Sequence, residues 1–167
     1  ISLNSHGNMY GAVEFFKLCR AKGVKAIIGC EVYLAPGSRF EKSDRVSPYH
    51  LTLLCKNETG YKNLCKLVSR GYTEGFYSKP RVDFELLSQY SEGLIALSGC
   101  SAGVIAQKLL SGDKDAAVKL CKRFAKDNDE LSGLMAEMMQ VDMLIILSNI
   151  DGIYNGHPDN PESQVIR

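Results

Sequence analysis

Apolar positions in the first 126 residues alternate between two rhythms, one helical and one strand-like. From Met9 to Lys22, Val13, Phe16 and Cys19 recur at helical spacing with Ala12 and Phe15 beside them, and Gly23 ends the segment. "VKAIIGCEVYL" follows as an unbroken apolar run, the pattern of a buried strand. "APGSRFEKSDRVSP" is turn-rich and charged, which predicts an exposed loop, and "HLTLLCKN" predicts a second strand. In "ETGYKNLCKLVSRGY" the residues Tyr61, Leu64, Cys65 and Val68 share one helical face. "GFYSKPRVDF" reads as a basic, aromatic loop, with a shorter helix starting near Asp83. "GLIALSGC" is a third strand, followed by helices in "AGVIAQKLLSG" and "KDAAVKLCKRF".

Beyond Lys126, Leu131, Leu134, Met135, Met138 and Met139 form the stripe of an amphipathic helix. "DMLIILSN" predicts a fourth strand, and "IDGIYNGHPDNPESQ" is rich in turn residues. Strands alternating with helices predict an α/β protein with a largely parallel sheet or barrel.

Charge breaks this even picture. Nineteen of the 20 Lys and Arg, but only 11 of the 19 Asp and Glu, lie at or before Lys126, a net of +8. The remaining 41 residues carry one cation against eight anions, a net of −7. All six cysteines lie in the first part, and four of the five methionines lie in the second. A basic segment of this kind suits a polyanion such as DNA, and the acidic tail would repel one. The 167 residues suffice for one domain with a real core and are few for two. The cysteines show no CxxC pair and sit mostly in apolar runs, as in a reduced, cytoplasmic protein. No apolar run reaches the length of a membrane span. The opening "ISLNSHGNMYG" reads as an internal stretch of a longer chain.

Two groups of residues could carry chemistry. "GCSAG", Gly99 to Gly103, fits the G-x-S-x-G turn of a serine hydrolase, with His157 and either Asp142 or Asp151 as the only downstream partners. The simpler reading is a pair of glycines that lets a strand turn tightly into a helix. The second group is dispersed: His6, Glu31, His50 and Cys100 each lie at or beside the end of a predicted strand. Such ends converge in parallel α/β architectures, and imidazole, carboxylate and thiolate are competent ligands for zinc or similar ions.

The phrases "SHGNMYGAVEFFKLCRAKGVKAIIGCEVYLAPGSRF", "YHLTLLCKNETGYKNLCKLVSRGYTEGFYSKPRVD" and "EGLIALSGCSAG" closely resemble the polymerase-and-histidinol-phosphatase (PHP) domain of bacterial DNA polymerase III alpha subunits. The resemblance covers about Asn4 to Phe124. It implies an incomplete PHP-type (β/α) barrel with parallel strands over residues 1–126. It also implies metal-ligand roles for His6, Glu31, His50 and Cys100, with Zn, Mn or Mg as the ion. The activity implied is metal-dependent 3′–5′ exonuclease or phosphoesterase chemistry, and the implied partners are DNA and other replicase subunits. The family's upstream H-x-H pair and closing D-x-H pair have no counterpart here, and its usual Thr-Asp-His-Gly phrase reads Asn4-Ser5-His6-Gly7. The site implied is therefore a partial one, suited to a single ion rather than a cluster. Without the family's first strand, the edge of "VKAIIGC" is expected to lie open.

The tail "DNDELSGLMAEMMQVDMLIILSNIDGIYNGHPDNPESQVI" resembles the middle of glutamate 5-kinase, of the amino-acid kinase family. That resemblance implies a helix-strand fragment over residues 127–167, with Asn128 binding glutamate and Asp129 at the catalytic centre. It places Ser148 and Asn149 at the ATP contact, Asn149 standing where Asp is usual. The kinase's phosphate-gripping loop and lysines are not present, so phosphoryl transfer would lack most of its electrostatic stabilisation. Three readings follow: a replicase PHP module, a small-molecule kinase fragment, and a fusion without native activity.

Overall fold

A helix between two strands lets them run parallel, whereas a short link without one turns the chain back on itself. Both connections occur near the start of this chain. In a computed structural model, which describes residues 1–42, 47–126, 153–154 and 165–166, β1 (Ser2–His6), α1 (Ala12–Ala21) and β2 (Ile27–Leu34) form a β-α-β unit. β1 and β2 pair in parallel from Ser2↔Ile27 to His6↔Glu31. The link from β2 to β3 (Tyr49–Cys55) holds no helix among the described residues, and these strands pair antiparallel from Gly29↔Leu54 to Leu34↔Tyr49.

After β3 come α2 (Glu58–Thr73), β4 (Phe76–Tyr77), β5 (Lys79–Val82), α3 (Phe84–Gln89) and β6 (Leu94–Leu97). β6 returns antiparallel to β3, and β5 joins β2 in parallel through Tyr33↔Arg81 and Leu34↔Val82. The strand order is β4-β5-β2-β3-β6, with β1 also on β2. The described strands thus form a mixed α/β sheet with antiparallel pairs at its centre, not the largely parallel barrel that the sequence pattern suggests. Helices α4 (Val104–Leu110) and α5 (Lys114–Lys126) follow, and β7 (Ile153–Tyr154) pairs antiparallel with β8 (Val165–Ile166). The expected helix at 131–139 and strand at 142–149 lie outside the described residues.

β1 escapes sequence detection because "SLNSH" offers one large apolar side chain, yet backbone pairing needs none. It covers the edge of β2 that was expected to lie open. "GFYSKPRVDF" is likewise more than a loop: β4 and β5 form a tight hairpin, Tyr77↔Lys79, around Ser78 at φ 60°. Pro80, which has no N–H to donate, pairs there with Phe76.

The core gathers Cys30, Leu34, Leu51, Leu64, Leu67, Val82 and Leu86, all essentially inaccessible to solvent. α2 presents Leu64 and Leu67 at the centre of its buried face, with Tyr61, Cys65 and Val68 half-buried beside them. Its N-terminus is capped by Asn57, whose side-chain oxygen accepts the Gly60 N–H at 2.9 Å. Asp83 caps α3 in the same way through the Leu86 N–H at 3.0 Å. α5 closes the core with Ala117, Cys121 and Phe124, the last ring 5.3 Å from Phe84. On α1 the outcome differs from the sequence pattern: Ala12 and Cys19 are buried, while Val13 and Phe16 are 56% and 50% exposed. Small residues form its contact seam, so the larger apolar ones project outward.

Gly60 sits where α2 presses on the chain entering β6, and a Cβ there would collide with the Gly93 carbonyl oxygen. Gly60→Ala is expected to destabilise the fold by about 2–3 kcal/mol in urea titrations, despite alanine's higher helix propensity, worth about 1 kcal/mol. A variant as stable as the parent would show that the two backbones do not approach so closely.

Candidate metal centre

Side chains on a strand alternate between faces, so register decides which groups meet. His6, the last residue of β1, pairs with Glu31, which pairs with Thr52 across β3. His50 lies two positions from Thr52 on β3, on the same face. Three adjacent strands therefore bring imidazole, carboxylate and imidazole together. His6 Nε2 lies 3.3 Å from Glu31 Oε1, and His50 Nδ1 lies 2.7 Å from that same oxygen. The two imidazole rings are 6.4 Å apart, edge to face.

Cys100 arrives from the turn after β6, with its Sγ 3.8 Å from His50 Nδ1. Backbone contacts hold that turn against β3. The His50 N–H donates to the Ala102 carbonyl at 3.0 Å, and Gly103 bridges to His50. Gly99 has φ +77°, and a Cβ on it would come within 3.0 Å of the His50 carbonyl oxygen. Gly103 is packed so closely on the Ser98 carbonyl that no side chain fits. The glycines of "GCSAG" are thus explained by the tight passage into α4. Ser101 is exposed. The partners its hydrolase reading needed, His157 with Asp142 or Asp151, lie outside the described residues.

The centre is graded from wet to dry. The His6 side chain is 65% exposed, that of His50 22% and that of Glu31 16%. Glu31 Oε1 is buried and, among the described residues, has no well-directed hydrogen bond despite the two nearby nitrogens. Both nitrogens approach this oxygen without a well-directed N–H. In tetrahedral zinc sites N and O donors stand about 3.3 Å apart, and N and S donors about 3.6 Å. The His6–Glu31 and His50–Cys100 separations approach those values, whereas His50–Glu31 would have to open by about 0.6 Å. Among the described residues no group of three or more His, Cys, Asp or Glu is already spaced as a finished metal cage. By donor chemistry alone, two imidazoles, a carboxylate and a thiol suit an imidazole- or thiolate-binding divalent ion.

Neighbours missed by sequence reasoning pack around these side chains. Tyr33, on the same face of β2 as Glu31, packs its ring edge-on against His50 at 5.4 Å. Gly7, at φ +68°, donates its N–H to the Glu31 carbonyl at 2.8 Å, and a Cβ on it would come within 2.9 Å of the Tyr33 ring and 3.1 Å of Pro80. On the opposite face of β2 the fully buried Cys30 thiol is pushed up to about 12 by burial, partly opposed by the Gly7 and Asn8 N–H groups. Cys30 is therefore a core thiol. All six cysteines are free. Asn128, Asp129, Ser148 and Asn149, the residues of the kinase resemblance, lie outside the described residues.

Residues 1–133 match the PHP domain family. The chain belongs to that family. This PHP domain is 53% identical over 127 residues to the DNA polymerase III subunit alpha of Treponema pallidum (strain Nichols), covering 74% of the chain and 11% of that protein. It is 52% identical over 123 residues to the subunit of Chlamydia pneumoniae, covering 72% of the chain and 10% of that protein. Against the subunit of Thermus aquaticus it is 47% identical over 136 residues, 79% of the chain and 11% of that protein. The chain thus spans about a tenth of the length of these curated relatives. Residues 104–167 also match the amino acid kinase family, a short partial match that overlaps the PHP match over 104–133. Among the described residues no helix is long and apolar enough to cross a membrane.

Proposed function

We propose that this chain is the metal-binding portion of the PHP module of a replicative DNA polymerase III alpha subunit, directed at phosphoesters. The observation that carries the reading is the meeting of His6 and His50 at the buried Glu31 carboxylate, with Cys100 against His50. A divalent ion held there would neutralise phosphate charge and make water a better nucleophile. Imidazole and thiolate donors favour zinc, and an oxygen-rich set would favour magnesium or manganese. Glu31 and His50, the drier pair, would anchor the ion. The exposed His6 would complete the ligand set on the solvent side, where the substrate enters. The partners are then DNA and other replicase subunits, in the cytoplasm. Four ligands suit one ion rather than a cluster, so 3′–5′ exonuclease activity of this chain alone is expected to be slight.

The charge break at Lys126 supports a division into a PHP part, 1–126, and a glutamate 5-kinase-like part, 127–167. A second reading assigns the tail to ATP-dependent phosphorylation of glutamate. It is favoured only by the partial family match and by Asn128, Asp129, Ser148 and Asn149 in the sequence. Glutamate-dependent ATP turnover is expected to stay at background.

Calorimetric zinc titration of the chelator-treated chain tests the main reading. One equivalent is expected to bind, and His50→Ala is expected to weaken binding at least about 100-fold. The same variant should abolish any metal-dependent release of nucleotides from single-stranded DNA. Unchanged affinity in His50→Ala would remove the site.

A further inference from the structure

Glu31 and a Cys100 thiolate would together cancel the charge of a divalent ion, leaving the loaded centre little net attraction for a phosphate. A phosphoester site of this composition needs a separate cation, and the β4–β5 hairpin holds one beside it. We propose that Lys79 is the phosphate-binding residue of this site, taking a phosphodiester oxygen of a single-stranded nucleic acid. The proposal rests on the phosphoester reading given above.

Three observations support it. The Lys79 Nζ lies 4.5 Å from the centre of the Tyr33 ring, and that ring packs on His50 at 5.4 Å. The ammonium is therefore no farther from the His50 ring than those two spans laid end to end. Next, Lys79 is exposed and has no carboxylate partner among the described residues, so its charge remains available. A cation–π contact orients an ammonium without neutralising it, unlike an ion pair. Finally, the hairpin that presents Lys79 turns on the single residue Ser78, at φ 60°. A non-glycine residue there costs on the order of 1 kcal/mol, and such strain gathers where a side chain must be aimed. Pro80, the next residue, fixes the hairpin against Gly7, which follows the ligand His6.

The test uses the full chain and a fluorescein-labelled oligothymidylate, followed by anisotropy in chelator at several salt concentrations. Lys79→Met is expected to weaken binding roughly tenfold and to reduce the log–log salt slope by about 0.7, the loss of one phosphate contact on a single strand. Lys79→Arg should keep the parent slope. Lys62→Met, the same charge change on the exposed face of α2, should change both quantities far less. Competition by inorganic phosphate at millimolar levels in the parent, but not in Lys79→Met, would mark a monoester site instead of a nucleic-acid contact and would overturn the assignment to DNA. Parent-like affinity and slope in Lys79→Met would overturn the role of Lys79 altogether. Zinc affinity is measured separately on the same variant and is expected to be unchanged. Failure of the parent to bind zinc would count against the metal reading, and the anisotropy result in chelator would still decide the role of Lys79.

Discussion

Replacing Arg39 with methionine is expected to destabilise the folded chain by about 3–5 kcal/mol. Arg39 lies in the charged loop after β2, yet it is only 5% exposed, and Asp83 is 4% exposed. Its Nη1 donates to both Asp83 oxygens at 3.0 and 3.1 Å, and its backbone N–H donates to Asp83 Oδ2 at 2.8 Å. Its Nε donates to Glu74 at 2.7 Å, and Glu85 lies 3.5 Å from Nη1. One guanidinium therefore ties the loop to the end of α2 and the start of α3. Methionine fills similar space but leaves the Asp83 carboxylate buried without a counter-charge. Asp83 also caps α3, so its removal alone would confound two losses. Arg39→Met combined with Asp83→Asn removes both charges while an amide oxygen remains to cap the helix. The double variant is expected to recover part of the lost stability in urea unfolding at pH 7. Parent-like stability in Arg39→Met alone would mean that the ion cluster contributes nothing to the fold.

Glu31→Ala is expected to lower zinc affinity at least about 100-fold and to leave the metal-free chain as stable as the parent or slightly more so. The two effects share one cause. Glu31 Oε1 lies 3.3 Å from His6 Nε2 and 2.7 Å from His50 Nδ1, yet it is buried without a well-directed hydrogen bond. A carboxylate held that way weakens the apo fold and strengthens a cation complex. Calorimetry with zinc, paired with thermal melts in chelator, separates the two. A large drop in the metal-free melting temperature would identify Glu31 as a structural residue, with His50 as its hydrogen-bond donor.

Most helices were legible because their caps and periodicity are local properties. Asn57 and Asp83 begin α2 and α3 where turn chemistry says they should. β1 was not legible, since "SLNSH" has too little apolar pattern to mark a strand and is held by backbone pairing to β2. Arg39 was misread as part of an exposed loop because its partners stand 35 and 44 residues away. The four proposed ligands stood out only as a dispersed set at predicted strand ends, and a family resemblance gave them a shared role.

By itself the sequence determined the α/β composition, the positions of the main strands and helices, the charge break at Lys126 and the inventory of metal-competent groups. These depend on patterns within a few residues, which side-chain chemistry dictates locally. Only the tertiary structure decided that β2 and β3 run antiparallel, and hence that His50 lies diagonally across from Glu31 rather than on a distant strand end. Register between strands far apart in the chain is set by the shared burial of both faces and by link length. That information resides in no single segment, and it places Lys79, Tyr33 and His50 beside one another.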